Sequence, residues 1–273
     1  MIELHPSREF KLPIIADCIS PDVFQGKTLP EVQALKVWEG NKQKTLGDLF
    51  KIVESNSENK TEPIIVINGN VSKLKRIGSH MKKGEIVIRG DVGMHLGVEM
   101  RGGKITVFGN AGGWAGSMMS NGTIEIHGNA GDYLASPYRG STSGIRGGKI
   151  IVRGNAGSEA GAYMKAGLIK ILGSAGQFVG LRMHDGTIYV RQNCDGRAGA
   201  CMVGGKIVVG GSIESVLPSF TIDAVKKKVK IEEGEEAEGP FYLFLGDLAE
   251  NGNGKLYVSK TNNPDLSSYE KFL

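Results

Sequence analysis

Gly-Gly-Lys occurs three times, at Gly102–Lys104, Gly147–Lys149 and Gly204–Lys206. Glycines ahead of a lysine are parts of a phosphate cradle, in which backbone N–H groups and an ammonium hold the anion. That motif also needs a glycine five residues before its Gly-Lys pair and a hydroxyl after the lysine. Here Ile105, Ile150 and Ile207 follow the lysines. Each lysine therefore reads as the first residue of a strand leaving a glycine corner. The glycines do not fit a dinucleotide site either, because they recur within a uniform β pattern rather than between a strand and a helix.

Other chemistry-bearing residues are sparse. The five histidines, His5, His80, His95, His127 and His184, show no H-x-x-x-H or other paired metal spacing. The three cysteines, Cys18, Cys194 and Cys201, form no C-x-x-C pair, which argues against a zinc or iron–sulfur site in this chain. Cys194 stands where other repeats carry Ala111, Ala130, Ala156 and Ala175, so a small buried residue is expected there. We therefore expect no catalytic, cofactor-binding or metal-ligating residue in the chain.

Aromatic and basic residues are a different matter. Tyr138-Arg139 lies in a glycine-flanked insertion and offers a ring beside a forked donor. No base or nucleophile accompanies it. A column five residues after the corners carries His95, Trp114, Tyr133, Phe178 and Arg197. These residue types anchor protein interfaces, and they also pack over corners, so both readings stand. Tyr138, Arg139, Trp114, Tyr133 and Phe178 are the expected partner contacts.

The element that must position them is a repeat. A Gly-Asn/Asp-Ala/Val-Gly core returns at Gly90, Gly109, Gly128, Gly154 and Gly173, and its register persists at Gln192 and Gly211. The intervals are 19, 19, 26, 19, 19 and 19 residues. The residue four before each corner is isoleucine, from Ile86 to Ile207, and the residue two before is Ile or Val. Methionine follows ten after, at Met100, Met119, Met164, Met183 and Met202. A fixed short period specifies stacked units, each a short strand with glycine at its bends. The expected fold is all-β: a right-handed parallel β-helix of about eight 19-residue turns, roughly 40 Å long at the parallel-strand spacing. The long interval holds the insertion, within Ser136–Gly144.

Polysaccharide-cleaving β-helices gather carboxylates on one outward column. Here the position before the corner reads Arg89, Phe108, His127, Arg153, Leu172 and Arg191, and the position three before reads Val87, Thr106, Glu125, Ile151, Lys170, Tyr189 and Val208. Neither concentrates acids. Their apolar and aromatic members point to contact with other proteins.

The flanks lack the repeat. We divide the chain into an N-terminal α+β capping or docking region over 1–62, the repeat over 63–220 and a C-terminal tail over 221–273. A capping-box-like Thr45–Asp48 predicts a helix over about 46–54, and the polar stretch 55–62 predicts a linker. In the tail, the basic-then-acidic run Lys226–Glu238 reads as a solvated connection. Two strands at Phe241–Leu245 and Lys255–Ser259 flank a turn at Asn251–Gly254.

Bulk properties exclude several classes. Forty-one glycines in 273 residues are about twice the usual share, with proline scarce and a period unlike collagen's. A net charge of +4 is too mild for nucleic acid or an anionic membrane. No apolar run approaches the ~20 residues of a membrane span, and the first residues lack a signal-peptide layout. A cytoplasmic protein is expected.

The run of G-N-A-G units resembles the glycine-rich β-helix domain at the C-terminal end of the glutamate synthase large subunit. It more closely resembles the C subunit of formylmethanofuran dehydrogenase. The resemblance rests on Ile77-Gly78 with Met81, VGMHLGVEMRGGKI at 92–105, GNAGGWAGSMM at 109–119 and Tyr138-Arg139-Gly140. It also includes Leu217-Pro218-Ser219-Phe220 and Phe244 through Asp247. It covers nearly the whole chain. It implies a scaffold subunit without an active site in an oxidoreductase complex of one-carbon metabolism and methanogenesis. That complex reduces CO2 and condenses the formate with methanofuran. The implied partners are a molybdenum or tungsten pterin subunit, an amidohydrolase-like subunit with a metal pair, and ferredoxin-type subunits carrying iron–sulfur clusters. The alternatives are the C subunit of a bacterial formyltransferase/hydrolase complex and a stand-alone glutamate synthase β-helix protein.

Overall fold

The isoleucines that recur four residues before each corner stack on one another. In the computed structural model, which describes residues 1–55 and 63–273, Ile65, Ile86, Ile105, Ile124, Ile150, Ile169, Ile188 and Ile207 are successive partners in parallel register, and Leu256 follows. All are buried. β-Branched side chains fit the pleated strand, and burying each contributes about 1.5–3 kcal/mol. The five methionines are likewise fully buried.

Among the described residues the chain is mostly β, with a 13-stranded, largely parallel sheet and a separate 4-stranded one. Strands from Ile2–Pro6 and Ile64–Asn68 through Lys206–Val209 to Gly254–Ser259 run parallel. The outer strands are antiparallel: Phe50–Glu54 at one end, and Thr221–Glu232 with Glu235–Gly246 at the other. Thus both flanks extend the sheet that the repeats build. Beside it runs a second line of parallel bridges, Val71, Val92, Ala111, Ala130, Ala156, Ala175, Cys194 and Ile213. Cys194 is buried there as expected, and its desolvation pushes the thiol up to about 12.

The Gly-Asn corner has two jobs. A Cβ on Gly109 would lie 2.5 Å from the carbonyl carbon of Gly90, so these two corners approach this closely only because Gly109 has no side chain. The next residue links them. The backbone N–H of Asn110 donates to Asp91 Oδ1 (2.7 Å), Asn129 N–H to Asn110 Oδ1 (2.8 Å) and Asn155 N–H to Asn129 Oδ1 (2.8 Å). Ser174 N–H continues the line to Asn155 Oδ1. Each side chain thereby satisfies a main-chain donor one repeat away.

Two expectations at the flanks are corrected. The helix expected over 46–54 is a single turn, Leu46–Leu49, with its Thr45–Asp48 capping box in place. Phe50–Glu54 is a strand, because buried Phe50 and Ile52 alternate with exposed neighbours and pair against Ile2–Pro6. Of the linker expected over 55–62, all but Ser55 lies outside the described residues.

The second correction is larger. The charged run expected as a solvated connection forms a hairpin, Thr221–Glu232 with Glu235–Gly246. Val229, Ile231, Ala237 and Phe241 bury themselves against Leu168 and Val208, with Tyr189 and Tyr257 at the margin. Lys170, Tyr189 and Val208 belong to the outward column assigned to partner proteins, yet this chain's own hairpin meets them. The two tail strands pair antiparallel as expected, Glu235–Gly246 with Gly254–Ser259, but the connection runs over 247–253 through a 3-10 turn at Leu248–Glu250, and Gly254 already belongs to the strand.

Candidate partner-docking groove

The column five residues after each corner has an uncommon backbone. His95, Trp114, Tyr133, Glu159 and Phe178 all have φ between 59° and 64°. An L-residue there costs about 1–2 kcal/mol. The conformation turns each N–H toward the adjacent repeat: Trp114 donates to the Asp132 carbonyl (3.0 Å) and Tyr133 to the Ser158 carbonyl (2.8 Å). It also sets the side chains above one another. Trp114 and Tyr133 stack at 4.3 Å with 14° between planes, and His95 stacks on Trp114 at 5.3 Å.

The insertion closes over this stack. Its base is fixed where Ile145 N–H donates to the Ala135 carbonyl (3.1 Å) and Gly144 N–H to the Tyr163 carbonyl (3.1 Å). Buried Ser136 holds the entry, accepting from Ala162 N–H at 3.2 Å, while its own carbonyl accepts from Ser117 Oγ at 2.6 Å. Tyr138 leans back onto His95, with ring centroids 5.4 Å apart, and Arg139 stays exposed beyond it. Between loop and stack lies a cavity of about 330 Å³, bordered by Trp114, Tyr133, Pro137, Tyr138, Arg139 and Tyr163.

The cleft is mainly aromatic, with one exposed cation, Arg139, and one carboxylate, Glu159, on its border. Burial, and then Arg76 and Lys75, push the His95 imidazole below its ordinary value. Burial raises the Tyr138 phenol. Tyr138 Oη, His95 Nδ1 and Arg76 Nε are all buried without a hydrogen-bond partner. Such an arrangement offers rings and a guanidinium to a docking surface. It sets no nucleophile beside a base, and among the described residues no three His, Cys, Asp or Glu side chains converge as metal ligands.

Four of the five expected contacts, Trp114, Tyr133, Tyr138 and Arg139, therefore border one cleft. Phe178 does not. Glu159 takes the column position between it and Tyr133, and Phe178 instead packs under Arg197, whose guanidinium lies 5.1 Å from the ring. Sequence reasoning missed Tyr163 and Leu181, which also border the cleft. Tyr163 carried a signal: it stands nine residues after a corner, aligned with Arg182 and Cys201, and all three have positive φ.

Comparison with known proteins gives concordant results. The C subunit of the tungsten-containing formylmethanofuran dehydrogenase 2 of Methanococcus maripaludis is 47% identical over 266 residues, covering 94% of this chain and 96% of that one. The C subunit of the molybdenum-containing formylmethanofuran dehydrogenase 1 of Methanothermobacter marburgensis is 47% identical over 94 residues, which span 34% of this chain and only 23% of that protein. A chain of the formyltransferase/hydrolase complex of Methylorubrum extorquens, solved in complex with methylofuran, is 30% identical with a TM-score of 0.84. The match covers 94% of this chain and 99% of that one. No family model matches.

Proposed function

The chain belongs to the family of formylmethanofuran dehydrogenase C subunits, and from that premise we propose that it is a non-catalytic scaffold holding the catalytic subunits of such a complex together. The observation that carries this reading is the 47% identity sustained over 94% of the chain, flanks as well as repeats. In this reading the complex reduces CO2 and condenses the formate with methanofuran. A molybdenum or tungsten pterin subunit performs the reduction, an amidohydrolase-like subunit with a metal pair the condensation, and ferredoxin-type subunits deliver electrons from their iron–sulfur clusters. The assembly is cytoplasmic.

The fold serves that role as a spine. We read the parallel sheet and the adjacent bridge line as two faces of a right-handed parallel β-helix of about eight turns. Residues 1–62 cap one end, 63–220 form the rod, and 221–273 close the other end. Tyr138, Arg139, Trp114 and Tyr133 dock one partner, and Phe178 contributes a second contact further along.

Expressed alone, the chain is expected to show neither CO2 reduction nor formyl transfer, and to capture the pterin and amidohydrolase-like subunits from native extract. A native complex that purifies intact and active without this chain overturns the reading. The TM-score of 0.84 favours one second reading, the C subunit of a formyltransferase/hydrolase complex. The same capture separates the two, since only the first brings down a pterin subunit. Glutamine-amidotransferase partners would point instead to glutamate synthase.

A further inference from the structure

One column of the sheet reads Lys104, Thr123, Lys149, Leu168, Thr187, Lys206 and Lys255 in register. Its residues share one face. The C-terminal hairpin folds across that face and treats its lysines in two opposite ways. Lys149 receives a carboxylate from the hairpin tip, Glu232, at 2.7 Å. Lys170, on the neighbouring column, meets Glu232 at 3.2 Å and also pairs with Glu235. Lys206 and Lys255 meet lysines instead.

At that end the hairpin strand brings Lys226, Lys228 and Lys230 over Lys206 and Lys255, enclosing a cavity of about 540 Å³ whose border holds one carboxylate, Asp185. Lys228 is paired with Glu236. Lys206 donates to the Lys230 carbonyl. Among the described residues, no carboxylate pairs with Lys206, Lys226, Lys230 or Lys255. Burial and the charges of Lys230 and Lys255 push the Lys206 amine below its ordinary value.

Lysines on an outermost strand commonly guard its edge against pairing, and Thr221–Glu232 is outermost. Guarding would need lysines on that strand alone. Lys206 and Lys255 come from the sheet across the cavity, so like charges converge from two sides. Facing like charges destabilise a sheet unless a counter-charge enters.

We infer that the cavity between the C-terminal hairpin and the strands bearing Lys206 and Lys255 seats an acidic segment of a partner polypeptide. This rests on the scaffold reading and gives one partner's chemistry. The internal precedent decides between peptide and small anion. Along the same face, Lys149 and Lys170 are satisfied by carboxylates borne on polypeptide, Glu232 and Glu235 on either side of the hairpin turn. Flexible, hydrated ammonium groups around an open cavity suit carboxylates spaced along a chain. At Lys206 and Lys255 the acidic segment comes from outside the chain.

The test treats the assembled complex with a carbodiimide, which joins amines to touching carboxylates, and maps the joined peptides by mass. Amide links from Lys226, Lys230 or Lys255 to Asp or Glu of another subunit are expected. The K226E/K255E variant should weaken that partner's retention roughly tenfold or more and flatten its salt dependence, with the melting temperature of the isolated chain not lowered. Links only to Asp185 or Glu236 of this chain, or none, overturn the inference. So does a variant that keeps the wild-type salt dependence, or a cavity blocked by millimolar phosphate without any inter-subunit link. A complex lacking this chain altogether counts against the scaffold reading; a chain present with these lysines unlinked counts against the inference alone.

Discussion

Lys149 donates to both carboxylate oxygens of Glu232 at 2.7 Å, across 83 residues of chain. That bond ties the strand Arg146–Val152 to the tip of the C-terminal hairpin; the expectation that each Gly-Gly-Lys lysine begins a strand holds for Lys206 alone, since the strands of Lys104 and Lys149 start at Arg101 and Arg146. It explains why an outward column that looks sticky in sequence is partly occupied within the chain. The insertion cleft and the lysine-lined end remain open to partners, as does exposed Phe108 on the column before the corner.

The hairpin's hold on the sheet should depend on pH. Hydrogen bonding from Lys149 above all, then from Lys170, holds the Glu232 carboxyl below the usual carboxylate range. A carboxyl lowered in the folded state contributes stability above its unfolded value of about 4.3 and loses it as pH falls through the folded value. Hydrogen-exchange protection in 229–237, taken relative to the intrinsic exchange rate at each pH, should therefore fall as pH drops below about 4.3. Glu232→Gln should remove most of that dependence and cost about 1 kcal/mol at neutral pH. An unchanged pH profile in the variant would show that the pair does not hold the hairpin.

The asparagine line should tolerate only acceptors. Asn129 Oδ1 takes the Asn155 N–H at 2.8 Å. Asn129→Ala should lower stability by about 1 kcal/mol. Asn129→Asp should stay within about 0.5 kcal/mol, because Asp91 already plays that part for Asn110. Thermal unfolding of the two variants, side by side, checks the ranking.

Two glycines separate crowding from backbone strain. Gly116 has φ +68°, and a Cβ there would lie 2.3 Å from Ile150 Cδ1; Gly140, at the insertion tip, has φ +88° with nothing within 4 Å. Gly116→Ala should cost more than about 2 kcal/mol, from strain and overpacking together. Gly140→Ala should cost about 1 kcal/mol from strain alone. Equal losses in denaturant titrations would contradict the packing described for the interior.

The insertion cleft should separate binding from folding. Arg139 is exposed and packs under nothing, so Arg139→Ala should leave the stability within about 0.5 kcal/mol of wild type. Its partner affinity should fall roughly tenfold, as for an arginine anchor. Tyr138→Phe removes only a buried hydroxyl that lacks a hydrogen-bond partner, and should be neutral or slightly stabilising. Calorimetry with titration of the captured partner gives both quantities.

Much of the parallel sheet was legible because like residues at 19-residue spacing can be buried only by stacking, as Ile105 on Ile86 and Ile124 on Ile105. The insertion was legible as a break in that spacing. The hairpin was not, because its apolar residues are interleaved with charges and their burial surface, Leu168 and Val208, is remote in sequence. The strand Phe50–Glu54 was hidden for the same reason, since its partner is the N-terminal Ile2–Pro6. Column membership brought Phe178 forward beside Trp114 and Tyr133. The period itself placed Glu159 five residues after Gly154, between Tyr133 and Phe178, and the sequence reading passed over that interruption.

We propose that this chain organises catalysts without being one. Size-exclusion chromatography with activity measurement, on the complex reconstituted with and without the chain, tests it most directly. We predict that the chain alone turns over nothing, and that omitting it separates the catalytic subunits into distinct peaks. CO2-reducing or formyl-transferring activity in the isolated chain would contradict the account, as would an intact, fully active complex formed without it.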